Sequence, residues 1–506
     1  MGTNRIDACR VVVVLIGVVG LATLRCMAGD APQWGRAWTR NMVSDETHLP
    51  VQFDPGSGDG IKWSAALGGQ AFGSPVIANG HVLIGANNQQ PRDPRVTGDH
   101  GVLLCLDEAD GSFQWQLIVP RLQGDNYLDQ PRIAICSPPT VEQDRVYVVT
   151  NRAEVACLDL NGMRDGNDGP YRDEGRHMVL PGKTPIEPTS KDADILWLFD
   201  MPAEVGIHPH DSAHSSILID GRYLYLNTGN GVDNTHRVIR SPNAPSLIVL
   251  DKATGRLVAS DDERIGPRIF HCTWSSPSMA VVKGQKLIFF CGGDGVCYAF
   301  RALPQDRSSV RPTALQRVWR FDCDPNGPKE NVHQYIGNHR ISPSNIMGMP
   351  VFHQNRIYVT GGGDFWWGKN EAWLKCIDAT GTGDVTGSAQ LWSVPLQRHA
   401  CTTPAIYNGL VFVGDCRRTV YCIDADSGKI HWQQAVKGDV WGSPLAADGK
   451  VYVGTYRSGE FWVFAAARNK KVLASTQFDT GIAATPMAAN GVLYVNTLTR
   501  LYAIGQ

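Results

Sequence analysis

The sequence predicts an all-β fold, an eight-bladed β-propeller of four-stranded antiparallel blades closed by an N-terminal strand that completes the C-terminal blade. Three observations carry this reading. One phrase recurs eight times along the chain. Each copy has the turn chemistry of four short strands. The last copy lacks a strand that the start of the chain can supply.

The phrase is Ser/Thr-Pro, a few residues, Asn/Asp-Gly, then alternating apolar residues. It stands at Ser74-Pro75 with Asn79-Gly80, Thr403-Pro404 with Asn408-Gly409, Ser443-Pro444 with Asp448-Gly449, and Thr485-Pro486 with Asn490-Gly491. Looser copies begin at Ser137-Pro138, Ser215-Ser216, Ser276-Pro277 and Met349-Pro350. Asn-Gly and Asp-Gly supply the positive φ that a two-residue hairpin turn requires, so each copy opens with a hairpin. A third strand follows, such as Val420–Asp424. A turn of Asp, Ala, Thr, Ser and Gly then leads to a fourth strand, usually ending in Trp. Those Trp are Trp63, Trp115, Trp197, Trp319, Trp392 and Trp432, with Ala259 and Ala474 standing in twice. The tightest spacings, Thr403 to Ser443 and Ser443 to Thr485, are 40 and 42 residues, the size of a propeller blade. In YCIDADSGKIHWQ (Tyr421 to Gln433), Asp424 and Gly428 shape the turn and Trp432 packs between neighbouring blades.

The ends fix the count. After Ile504 only Gly505 and Gln506 remain, so the last copy has no fourth strand. Ile61-Lys62-Trp63-Ser64 is a fourth strand with no copy of its own. Pairing the two closes the ring and removes open sheet edges. Residues 30–506 are therefore expected to form one propeller domain.

The composition, 43% hydrophobic and 19% charged, provides ample core. A net charge of −2 gives no reason to expect nucleic acid as a partner. At the N-terminus, Arg5 and Arg10 precede the apolar run Val11–Leu24, too short to span a bilayer comfortably. Residues 1–28 read as a secretory signal, so the mature chain is expected to be exported to the periplasm or cell envelope, without a transmembrane helix and as a monomer. Of thirteen cysteines, Cys105, Cys157, Cys376 and Cys422 share one strand position in the repeat and read as small buried hydrophobes. If Asn408-Gly409 is a two-residue turn, Cys401 and Cys416 lie opposite one another across the hairpin.

The segment ADSGKIHW (Ala425–Trp432) resembles the tryptophan-docking repeat of the PQQ-like propellers. That superfamily includes quinoprotein alcohol dehydrogenases, which use pyrroloquinoline quinone (PQQ), and BamB-like assembly lipoproteins, which hold no quinone. Asp159–Gly169, Trp274–Pro277, Gly292–Gly295 and Ser241–Leu247 resemble segments of exported bacterial PQQ-like repeat proteins. The resemblance covers nearly the whole mature chain. For a dehydrogenase it implies PQQ and calcium as cofactors; for a BamB-like scaffold it implies none. No two cysteines are adjacent, as they are in many soluble quinoprotein alcohol dehydrogenases, and no Cys-x-x-Cys-His haem motif occurs.

Propeller geometry puts the loops before strand one and between strands two and three on a common face, and that face has the longer loops: Arg121–Ile135, Pro202–Ala213, Asn326–Arg340, Asn87–Gly101, Gly229–Pro245 and Gly361–Glu371. Its candidate ligand-binding residues, at the channel mouth, are His208, His210, Asp211, Trp274, Asp294, His339, Arg340, Arg417, Trp441 and Arg457. His208 and His210 point the same way in an extended chain, a metal-like pair without a third ligand at a recognisable spacing. No catalytic residue and no metal ligand set is assigned, because no motif names a nucleophile, base and orienter. The favoured reading is a non-catalytic binding or assembly scaffold with a protein or polymer partner in the envelope. The alternatives are a PQQ- and calcium-dependent alcohol or polyvinyl-alcohol dehydrogenase, and a glycan- or polymer-binding propeller using Trp366 and Trp367.

Overall fold

A computed structural model describes residues 29–122, 130–307 and 311–505. The expected signal segment 1–28 lies outside these residues, as does part of the loop Arg121–Ile135. Eight sheets follow one another around an axis. The first is Val76–Ala78, His81–Asn87, His100–Asp107 and Phe113–Pro120. The sixth is Ala405–Tyr407, Leu410–Asp415, Thr419–Asp424 and Ile430–Ala435. In the eighth, Ile61–Ala66 pairs antiparallel with Arg500–Ile504, and Trp63 lies opposite Ala503. The ring closes through strands from opposite ends of the chain.

Local chemistry explains the blades. Asn79, Asn408, Asp448 and Asn490 take φ of 51°, 49°, 51° and 52°, the left-handed values a two-residue hairpin needs. The six repeat Trp each donate an indole N–H to a carbonyl in a turn of the next blade. Examples are Trp63 to Glu108 (2.9 Å), Trp115 to Leu160 (2.9 Å), Trp392 to Ala425 (3.2 Å) and Trp432 to Ala467 (2.9 Å). Gly428 shows why that turn needs glycine. Its φ is +73°, and a Cβ there would stand 2.9 Å from the Trp392 ring. The fourth strands do not end at Trp, contrary to the sequence reading. Ile430–Ala435 runs on past Trp432 because ladder pairing with Thr419–Asp424 continues to Thr419↔Ala435. Two blades also gain a fifth, parallel strand that no repeat signalled, Thr313–Ala314 and Gly383–Asp384.

The recurring Ser/Thr has a structural role. Met349 N–H donates to Thr403 Oγ1 (3.0 Å), Thr403 N–H to Ser443 Oγ (2.9 Å), Ser443 N–H to Thr485 Oγ1 (2.9 Å) and Thr485 N–H to Ser74 Oγ (3.0 Å). Ser216 N–H donates to Ser276 Oγ at 2.9 Å. These bonds stitch neighbouring innermost strands around the axis.

Residues 29–46 enter the channel from the hairpin end and touch the innermost strand or hairpin turn of every blade. Ile77 N–H donates to Ala31 O, Val141 N–H to Pro32 O, Met279 N–H to Trp38 O, Phe352 N–H to Thr39 O and Ala446 N–H to Met42 O. Asn41 makes a two-way bond with the Ile406 backbone (2.9 and 2.8 Å). The Trp38 indole donates to Ile219 O (3.2 Å), and Glu46 accepts from Asn490 and Gly491 N–H. Arg40 is fully buried and donates to Pro277 O, Trp34 O, Ser216 O and Ser216 Oγ at 2.9–3.1 Å. Carbonyl dipoles rather than a carboxylate hold this cation, and burial pushes its pKa down to about 9. The segment is a plug at the hairpin end of the channel.

Candidate functional site

Above the plug the channel is a cavity of about 410 Å³, within the range of small-ligand clefts. Trp34 of the plug lines it, with Ser74, Ser216, Ser276 and Thr485 of the hydroxyl ring. Aromatic side chains form the wall. Trp441 stacks on Tyr456 with centroids 4.2 Å apart, Trp366 meets Trp441 edge-on at 6.0 Å and Trp274 at 6.3 Å, and His214 stacks on Trp274 at 5.9 Å. The Arg457 guanidinium lies 5.3 Å from the Tyr456 ring centroid. The indole N–H groups of Trp34, Trp274 and Trp441 are buried without a hydrogen-bond acceptor, and His214 Nε2 is buried without a partner. Such orphans are uncommon inside proteins. Burial lowers the His214 pKa to about 4 against a smaller opposing backbone hydrogen bond, so its ring is neutral at pH 7.

Of the residues named from sequence, Asp211, Trp274, Trp441 and Arg457 line this cavity. His210 precedes the cavity-lining Asp211 in the chain. The His208 backbone N–H donates to Asn230 Oδ1 (3.0 Å), while the His210 ring packs against His236 and His271 at centroid distances of 4.7 and 4.8 Å. Asp294 is 3% exposed, contrary to a place on the mouth. It accepts from Arg268 (2.9 Å) and from the Tyr298 hydroxyl (2.8 Å), and burial raises its pKa against the pull of Arg268. It fixes the turn before the strand Val296–Arg301. His339, Arg340 and Arg417 are exposed and do not line the cavity; His339 Nδ1 lies 2.9 Å from Gly368 O.

Sequence reasoning missed Trp34, because nothing in a non-repeating N-terminal segment points back into the channel. It also missed His236, His271 and Asp364. His271 Nδ1 lies 2.9 Å from Asp364 Oδ2, a buried pair. Burial alone would raise the Asp364 pKa, but the charge of His271 and its hydrogen bond outweigh it and hold the value at about 2. One ring nitrogen from each of His210, His236 and His271 lies within 4.8 Å of the others. Cys401 and Cys416 do face each other across their hairpin, with Sγ atoms 3.6 Å apart, and Cys401 lines the cavity.

Residues 370–472 match the family model described as outer membrane protein assembly factor BamB. Among solved structures, quinohemoprotein alcohol dehydrogenase from Comamonas testosteroni is similar over 94% of this chain and 80% of its own, with 12% identity and a TM-score of 0.59. Quinohemoprotein alcohol dehydrogenase ADHIIG from Pseudomonas putida HK5 is similar over the same shares, with 12% identity and a TM-score of 0.56. No curated protein matches the sequence. The likeness to these solved structures is one of fold, and the match to the BamB family model is confined to residues 370–472.

The fold therefore poses the question of PQQ, a planar quinone with three carboxylates. Among the described residues lining the cavity, Arg457 is the one cation and Asp211 the one carboxylate. A calcium ion takes six to eight oxygens at about 2.3–2.6 Å. The aromatic walls could stack a flat ring, but the described lining offers one cation for the three carboxylates and one carboxylate for the metal. The described residues do not fit a PQQ–calcium pair.

Proposed function

We propose that the protein is an exported binding propeller whose plugged central cavity takes one end of a polyhydroxylated chain, a saccharide. The observation that carries this is the cavity itself: closed below by residues 29–46, walled by flat aromatic rings, and bordered by the Arg457 guanidinium. A sugar ring offers apolar C–H faces to stack on Trp and Tyr and hydroxyl oxygens to accept from Arg457. A closed floor favours the end of a chain over its middle.

A glycan array probed with the mature protein tests the reading. Binding to a defined set of saccharides, reduced at least tenfold by Trp366→Ala, is the expected result. Trp366 is 37% exposed, so its removal is tolerated by the fold. No saccharide binding, or a stoichiometric complex when PQQ and calcium are titrated in, would overturn it.

A second reading, a scaffold for protein assembly in the envelope, is supported by the family match over residues 370–472. No helix among the described residues is long and apolar enough to cross a membrane. Recovery of one stoichiometric envelope protein by crosslinking, undiminished by Trp366→Ala, would favour that reading over the saccharide.

A further inference from the structure

We propose that His210, His236 and His271 bind a divalent transition-metal ion, zinc being the expected one, at the rim of the central cavity. One ring nitrogen from each lies within 4.8 Å of the others. The ring centroids are 4.7, 4.8 and 5.3 Å apart. Three imidazoles gathered this closely offer a set of ring nitrogens that one cation can share.

The surroundings have the form of a metal site's outer shell. His210 Nδ1 lies 2.9 Å from Val232 O, and His271 Nδ1 lies 2.9 Å from Asp364 Oδ2. Donation from Nδ1 to a carbonyl or carboxylate fixes the tautomer and turns Nε2 toward the metal. The His271 Nε2 is buried with no hydrogen-bond partner. Asp364 is itself held by Asn345 Nδ2 (2.9 Å) and by the N–H groups of Trp366 (3.0 Å) and Trp367 (2.9 Å).

Three chain segments are fastened together to make the cluster. Gly231 N–H donates to His208 O (2.9 Å), Val232 N–H to His271 O (2.9 Å) and Thr273 N–H to Asn230 O (3.1 Å). Gly231 permits the approach, since a Cβ there would meet His210 Cβ and His271 O, both at 2.9 Å. His236 rides a short turn between Asp233 and Val238, bonded N–H to O at 2.9 Å.

Imidazole ligands select zinc, copper, iron or nickel over calcium and magnesium. Zinc at about 2.0–2.1 Å from each nitrogen requires these atoms to be roughly 3.3 Å apart, so nitrogens now up to 4.8 Å apart close in on loading. Three protein ligands leave a fourth position for water or an incoming oxygen. Asp211 Oδ2 lies 3.8 Å from His210 Nε2 and also lines the cavity, which places that fourth position toward the bound ligand.

The test uses untagged, chelator-treated mature protein and cobalt(II) as the spectroscopic probe, displaced by zinc. One cobalt per chain with the visible bands of a four-coordinate ion, abolished by His236→Ala and by His236→Gln while circular dichroism is unchanged, is the expected result. Asp364→Asn should weaken zinc binding by about 10–100-fold, the size of an outer-shell effect. A folded wild-type protein that takes up no cobalt, or His236 variants that bind it as the wild type does, would overturn the proposal. Because both readouts are metal-specific, this result is independent of whether saccharides bind.

Discussion

The Thr403 backbone N–H donates to Ser443 Oγ at 2.9 Å, joining the innermost strands of adjacent blades. Ser443 passes the same bond on, its own N–H donating to Thr485 Oγ1 at 2.9 Å. The Ser/Thr of the repeated phrase is thus an interblade acceptor, which a sequence read one blade at a time cannot reveal. Ser443→Ala leaves a buried N–H without an acceptor and should cost about 1–3 kcal/mol, while Ser443→Thr should be close to neutral. Urea unfolding of the two variants checks this; equal stability of Ser443→Ala and wild type would contradict it.

Arg40→Ala should be among the more damaging single changes outside the sheets. It strips donors from three buried carbonyls and a hydroxyl, for a loss of roughly 3 kcal/mol. It should also loosen the floor of the cavity, making residues 29–46 a site of early proteolysis. Limited proteolysis followed by mass spectrometry of the N-terminal fragments reads this directly.

His214 predicts a pH effect. Its folded pKa, about 4, lies below the ordinary value of 6.5. As pH falls through 6.5 the unfolded chain takes the proton and the folded one does not. Its contribution to stability is therefore intact above about 6.5 and is lost progressively down to about 4, a decline of about 3 kcal/mol. His214→Gln should flatten the stability-versus-pH curve in that window. An unchanged slope in the variant would contradict the assignment.

Cys401 should be the reactive thiol. The hydrogen bond with Cys416 lowers its pKa, burial opposes, and the nearby charge of His399 lowers it further, whereas Cys416 is raised by the same pairing. Burial raises the repeat-strand thiols Cys105, Cys157, Cys376 and Cys422. Brief iodoacetamide treatment of reduced protein at pH 7 should modify Cys401 first. Mild oxidation should join Cys401 to Cys416 and protect both. Uniform labelling across the cysteines would contradict this.

The fold was legible because it is written locally and repeatedly. Asn408-Gly409 announces its hairpin, Gly428 its close contact with Trp392, and Trp63 its place beside Ala503 once the last blade is seen to be short. The plug was not legible. Arg40 meets Ser216 and Pro277, and Asn41 meets Ile406, 365 residues away. No period links such partners, and the segment has no repeat of its own. The site was legible as far as each residue sat in a loop of the expected face, as Trp274, Trp441 and Arg457 do. Asp294 sat in such a loop and turned inward to Arg268. The histidine cluster escaped because its members come from three loops at irregular spacing, and only folding brings them within reach.

The most direct measurement is a crystal structure of the protein soaked with the saccharide it binds best on the array. The account predicts a sugar ring stacked among Trp366, Trp441 and Tyr456, above Trp34, with Arg457 bonded to its oxygens. Density for a quinone in that place, or a sugar held on the outer surface with the cavity unchanged, would contradict it.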